Sequence, residues 1–112
     1  GVSVHSLDAL YASIEEPWVD VIHVRLNPEG IKMDTHDPAP VVTAIEKLHQ
    51  AGKGVIAMKL VGEGKYRTEP DKIDASLRLA LSVKKVDVLL VGFDAPAQVE
   101  DMGQRVQRIL KG

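Results

Sequence analysis

Cysteine is absent from the 112 residues. That excludes disulfides, thiolate zinc sites and thiol nucleophiles, and it suits a cytoplasmic location. Aromatic residues are scarce, at one Trp, two Tyr and one Phe. Lys and Arg are spread along the chain, so neither a stacking platform nor a basic stripe for nucleic acid is expected. A formal net charge of −2 gives no broad attraction to nucleic acid or to an anionic membrane. No apolar run approaches the ~20 residues of a membrane span, and no signal-peptide pattern is present. The initiator Met is also missing, and the chain starts at Gly1 inside an apparent strand. Residues 1–112 are therefore expected to be a single domain with a real core that is incomplete at its N-terminus.

What is there is a repeat of strand, loop and helix. Residues 54–64, GVIAMKLVGEG, are its clearest instance. A mostly apolar run at 55–60 enters a glycine-bearing loop, as a buried strand of a parallel sheet does. Three more strands are expected at 1–5, 19–26 and 87–93. The second, VDVIHVRL, alternates: Ile22, Val24 and Leu26 share one face, while Val21, His23, Arg25 and Asn27 share the other. Ser6 is placed to cap the first helix, whose stripe is Leu7, Leu10, Tyr11 and Ile14. Asp37 and Pro38 open the second helix, with Val41, Val42, Ile45 and Leu48 inward and Gly52 as its left-handed stop. Pro70 opens the third, with Ile73, Leu77 and Leu81 inward and Lys72, Asp74 and Arg78 exposed. Pro96 opens the fourth, with Val99, Met102, Val106, Ile109 and Leu110 inward.

Four βα units require parallel strands and right-handed crossovers. An open doubly wound sheet and part of a (β/α)8 barrel both satisfy this. The half-polar face favours the barrel, where inward residues at the C-terminal strand ends form the site. Ser3, His5, His23, Arg25, Asn27 and Lys59 all belong to that rim. In an open sheet half of them fall under helices, where unpaired charge is costly. The spaced glycines of a dinucleotide fingerprint are also missing from the first βα turn. The fold class is thus α/β, four parallel βα units forming half of a (β/α)8 barrel. Four strands do not close such a barrel, which takes about eight. The expected partner is a second half-barrel, either a missing N-terminal half or a second copy in a homodimer.

The candidates carry competing readings. Lys59 either pairs with a cofactor phosphate or is a rim lysine bound to a nearby carboxylate. His5 and His23 are proton-transfer groups, metal ligands or hydrogen-bonded rim residues. With no inward carboxylate beside them, no metal is assigned. Arg25 either holds a substrate carboxylate bidentately or is an internal ion-pair partner. Tyr11, on a helix stripe, and Tyr66, in a loop, lack the strand-end setting of a catalytic acid.

Taken in order, GVSVHS, VDVIHVRLNP, GKGVIAMKLVGEG and VDVLLVGFDAPAQVEDM resemble the last four strands of the aldo/keto reductase family over essentially the whole chain. The likeness is to a divergent bacterial branch with a Gly-x-Ser-x-His pattern after the fifth strand and Met-Lys at the seventh. The resemblance implies an oxidoreductase that reduces a small-molecule carbonyl with NADP(H) or NAD(H). It also implies that the catalytic Tyr, Lys, Asp and His lie in the other half, so this chain is not expected to be active alone. By the same resemblance Ser3, His5, His23, Lys59, Gly92, Phe93 and Gln98 bind cofactor, and Arg25 and Asn27 meet the substrate. Ser3 matches the Ser that contacts the carboxamide. Val4 replaces the neighbouring Asn, and His23 replaces the Gln of the sixth strand. The nicotinamide-stacking aromatic falls near Met58 and Lys59. The 2′-phosphate clamp falls on Gly92, Phe93 and Gln98, none of which is cationic. Free amides near Gly92 and at the start of the Pro96 helix remain available to a phosphate. A non-catalytic half-barrel that dimerises or docks onto a partner is the alternative.

Overall fold

The computed structural model describes residues 1–34 and 36–112. Strand and helix alternate four times: β1 (Val2–Ser3), α1 (Leu7–Ile14), β2 (Val21–Arg25), α2 (Ala39–Gln50), β3 (Gly54–Met58), α3 (Pro70–Val83), β4 (Val88–Leu89) and α4 (Pro96–Lys111). The sheet order is β1-β2-β3-β4 and every pairing is parallel. A doubly wound sheet reverses its strand order at a switch point. This one does not, so the chain winds in one direction as half of a (β/α)8 barrel does.

Register explains the two faces. Val2 pairs with Ile22 and Ile22 with Val55, while Val24 pairs with Ala57 and Ala57 with Leu89. These rows form one apolar face, on which Ile22, Val24, Val55 and Ala57 are buried. Leu10 of α1, Ala44, Ile45 and Leu48 of α2, and Ala80 of α3 belong to the same core. Burying a side chain such as Leu48 contributes about 1.5–3 kcal/mol. A second cluster joins Ile73 and Leu77 of α3 to Met102 of α4, with Val61 and Tyr66 from the loop after β3.

The other face is uncovered. Its rows are Ser3, His23, Ile56 and Val88, then Arg25 and Met58. Val88 and Leu90 are about half exposed, at 50% and 47%. The Ser3 hydroxyl contacts the Met58 sulfur at 3.9 Å. These residues belong to β1 and β3, with β2 between them. Strands two apart in a flat sheet are separated by roughly 9–10 Å, so this contact shows a concave open face.

Local signals set the helix ends. The Ser6 hydroxyl accepts from the Ala9 amide at 3.1 Å, and the Asp34 carboxylate accepts from Leu7 at 2.6 Å. Asp37 accepts from the Ala39 amide at 2.9 Å. After α2 the chain turns through Gly52 at φ +79°, a left-handed backbone that suits glycine. Lys84 takes the same conformation after α3, at φ 60°.

At the N-terminal ends of the strands, buried Lys53 donates from Nζ to the carbonyls of Glu16 and Val19, each at 2.7 Å. The Asp87 carboxylate accepts from the Val55 amide at 2.8 Å. Both clamps join segments distant in sequence.

Several expectations change. The fourth strand spans only Val88 and Leu89, flanked by amides of Asp87 and Leu90 that donate to Val55 and Ala57, and does not run over 87–93; the first spans Val2 and Ser3, with the Val4 amide donating to His23. Each is an edge strand with one neighbour, so less of it is fixed by pairing. Tyr11 is exposed, with the Lys47 ammonium 5.5 Å from its ring centre. Val99 and Leu110 are also exposed, outside the cluster that Met102, Val106 and Ile109 of α4 join. Leu81 is half buried, and Ala80 occupies the core instead. Asp74 is not a free surface charge, because Arg105 and Arg108 hold its two oxygens at 2.7 and 2.8 Å. Burial alone raises its carboxyl pKa, but the Arg105 hydrogen bond and the nearby guanidinium charges leave it lowered. Among the described residues no helix is long and apolar enough to cross a membrane.

Candidate ligand-binding site

The loop after β3 builds the candidate site. Lys59 leaves the strand at φ +63°, a conformation disfavoured for a side-chain-bearing residue. Its carbonyl accepts from the Gly62 amide at 2.9 Å, closing a tight turn. Gly62 is at φ +61°, and a Cβ there meets Ile31 Cγ2 at 3.2 Å. Glycine is thus favoured at 62 by backbone angle, and a side chain there would have to push Ile31 of the neighbouring loop aside.

Asn27 joins the loops after β2 and β3. Its amide donates to the carbonyls of Ile31 and Lys59 at 2.8 and 3.0 Å. Its Oδ1 accepts from the Ile31 amide at 2.8 Å and from the Tyr66 hydroxyl at 3.1 Å. Asn27 is fully buried, so these bonds satisfy an amide that is otherwise expensive to desolvate. Burial, and then the charge of Glu29, push the Tyr66 phenol pKa up. The hydroxyl therefore stays protonated and donates.

Charged side chains ring this hub. Lys59 Nζ contacts Glu63 Oε1 at 2.5 Å, and Lys32 Nζ lies 3.5 Å from Oε2. The Lys59 hydrogen bond is the main reason that the Glu63 carboxyl is lowered from its ordinary value. Lys72 sits between Glu69 and Glu29, at 3.0 and 3.1 Å. Arg67 donates to the Gly92 carbonyl, and its guanidinium lies 5.3 Å from the Phe93 ring centre. Between the ends of β3 and β4 lies a cleft of about 420 Å³, lined in part by Met58, Lys59, Glu63, Arg67, Leu90 and Phe93. It offers two cations, an aromatic face and an apolar floor, suited to a ligand with an anionic end and a flat ring.

Of the residues singled out in the sequence, Lys59, Gly92 and Phe93 meet in this cleft. Gln98 lies beside it, its Oε1 accepting from the Asp94 amide at 2.8 Å at the start of α4. Ser3 reaches the cleft floor through Met58. His23 sits in the middle of the open face, half buried. His5 is exposed and shares a separate small crevice with Arg25 and Asp34. Arg25 donates from Nη1 to the Lys32 carbonyl, and its buried Nε lacks a partner among the described residues. Asn27 is committed to the two loops. Among the described residues no three His, Asp or Glu side chains gather where a metal ion would need them.

Sequence reasoning gave Glu63 and Arg67 no role of their own and set Tyr66 aside as a catalytic acid. Only the flanking Gly62 and Gly64 hinted that this loop folds back on itself. Compared with known protein families, curated proteins and solved structures, the chain matches none.

Proposed function

We propose that the chain is the cofactor-binding half of an aldo/keto reductase-like oxidoreductase that reduces a carbonyl with NAD(P)H when a second half-barrel completes it. One observation carries the reading: Lys59, Arg67 and Phe93 converge on one cleft at the C-terminal end of the sheet, beside a concave open face. That end is where parallel βα barrels place ligands. The residues fit the group. Two cations suit its phosphates, Phe93 and Met58 suit a flat ring, and the open space above Gly92 leaves its backbone accessible.

When bound, the nicotinamide would supply a hydride to the substrate carbonyl. Lys59 and Arg67 would hold phosphate oxygens, and Arg67 would also keep Phe93 in place. The open face would exclude water once a second half-barrel covers it. The proton for the reduced oxygen would come from that other half, since among the described residues neither Lys59 nor Tyr66 is free to give it. Lys59 is bound to Glu63, and the Tyr66 hydroxyl is given to Asn27.

The test is a titration of the purified chain with NADPH and NADH, read by the reduced nicotinamide's own fluorescence. Trp18 is a poor reporter, since it precedes β2 at the opposite end of the sheet. Saturable binding that weakens about tenfold or more in Arg67→Met supports the reading, a loss of ~1.4 kcal/mol. Absence of binding at millimolar cofactor, for the chain alone and for any dimer it forms, overturns it.

A second reading has its own support: a non-catalytic half-barrel that pairs with another copy. Val21, Val88 and Leu90 are exposed on the open face. Light scattering over a concentration series separates the two readings. A dimer dissociated by Val88→Lys, without cofactor binding, favours the second.

A further inference from the structure

The Glu63 carboxylate is gripped from two sides, Oε1 by Lys59 and Oε2 by Lys32. The two lysines come from different loops, Lys32 after β2 and Lys59 after β3. Lys32, Lys59 and Glu63 have φ of 60°, 63° and 58°. Among the described residues Lys84 is the only other non-glycine in that region. Three strained backbones thus meet in one charge cluster, and strain of this kind gathers at ligand sites and switches. The cluster is accessible, with the Glu63 side chain 42% exposed, Lys32 48% and Lys59 23%. A pair this exposed is worth little as a brace, so stability does not account for the strain. Glu63 also sits between Gly62 and Gly64, both at positive φ. The turn itself is hydrogen-bonded, Gly62 to Lys59 and Gly64 to Val61, so the part that can move is the exposed Glu63 side chain.

We propose that Lys32 and Lys59 form a phosphate-binding site whose occupant, in the absence of ligand, is the protein's own Glu63. A phosphate-bearing ligand displaces the carboxylate, and the exposed Glu63 side chain rotates into solvent as it does. Two ammonium groups that hold two carboxylate oxygens are suited to two oxygens of a phosphate. The low pKa of Glu63 keeps it charged at neutral pH, so it competes as an anion at every physiological pH. Affinity is thereby tuned down, and weakly anionic ligands are turned away. The inference rests on the reading that the cleft accepts a phosphate group, but not on the reaction that follows.

The probe is sodium pyrophosphate, titrated calorimetrically into the full chain at low salt. Glu63→Gln and Glu63→Gly are compared with wild type and with the double variant Lys59→Met/Glu63→Gln. Glu63→Gly also relieves the left-handed backbone, so the comparison survives if Glu63→Gln folds poorly. Both single variants should bind pyrophosphate about three- to tenfold tighter than wild type, as removal of an exposed competing ion pair allows. The double variant should lose the gain. Equal affinity in wild type and both Glu63 variants overturns the proposal, as does a gain that survives the loss of Lys59 or no measurable binding in any form. If pyrophosphate behaves as expected while NADPH does not bind, the cofactor reading fails and the phosphate site stands.

Discussion

The two ends of the sheet are held in opposite ways. At the N-terminal end, charged groups are spent on the backbone: Lys53 on two carbonyls and Asp87 on an amide. At the C-terminal end, Lys32, Lys59 and Arg67 face Glu63 and the Gly92 carbonyl at the surface of a cleft. The first end is built to stay shut. The second keeps its charge on contacts that a ligand can replace. Asn27 is the exception at the functional end, a buried brace that holds the two loops carrying those cations.

The largest expected effect tests that exception. Asn27→Ala leaves the Tyr66 hydroxyl, the Ile31 amide and two carbonyls without their partner, and should cost about 3 kcal/mol in urea unfolding. A loss below about 1 kcal/mol means the loops do not depend on this hub. Lys53→Met, at the other end, should cost about 2 kcal/mol through two abandoned carbonyls, yet leave pyrophosphate binding unchanged. If it alters binding, the two ends are not independent. Lys84→Gly should stabilise the fold by about 1 kcal/mol with no effect on ligands, because the left-handed backbone after α3 has no charge cluster around it. A destabilised Lys84→Gly would show that the αL backbone there is not strained.

The smallest effect is in acid. The folded Asp74 pKa lies below its unfolded value. Its contribution is therefore complete above the ordinary carboxylate range and is lost as pH falls through the folded value. The urea midpoints of wild type and Asp74→Asn should differ by a constant amount from pH 7 to pH 5, then converge below about pH 4. A gap that widens in acid has the wrong sign for this assignment.

The fold was legible because its signals are local. The alternation of Ile22, His23, Val24 and Arg25, the Ser6 cap, the Gly52 stop and the prolines opening α3 and α4 each act within a few residues. The site was only half legible. Lys59 follows from its place at a strand end, whereas Gly92 and Phe93 enter only through the family resemblance. Tyr66 and Arg67 follow from neither, because their positions depend on Asn27 and Gly92, 39 and 25 residues away. The pairing of Asp74 with Arg105, 31 residues on, was hidden for the same reason. Strand lengths at the sheet edges also escaped, since a ladder extends only where a neighbour supplies the other rail.

Those short edges set a clock. β2 and β3 share five register pairs, whereas β1 and β4 contribute two each. Backbone amides of the central ladder should therefore exchange with deuterium slowest, and those of the two edge strands fastest. Any partner that takes its place along β1 or β4 will write itself into that pattern, slowing the edge amides while the centre keeps its pace.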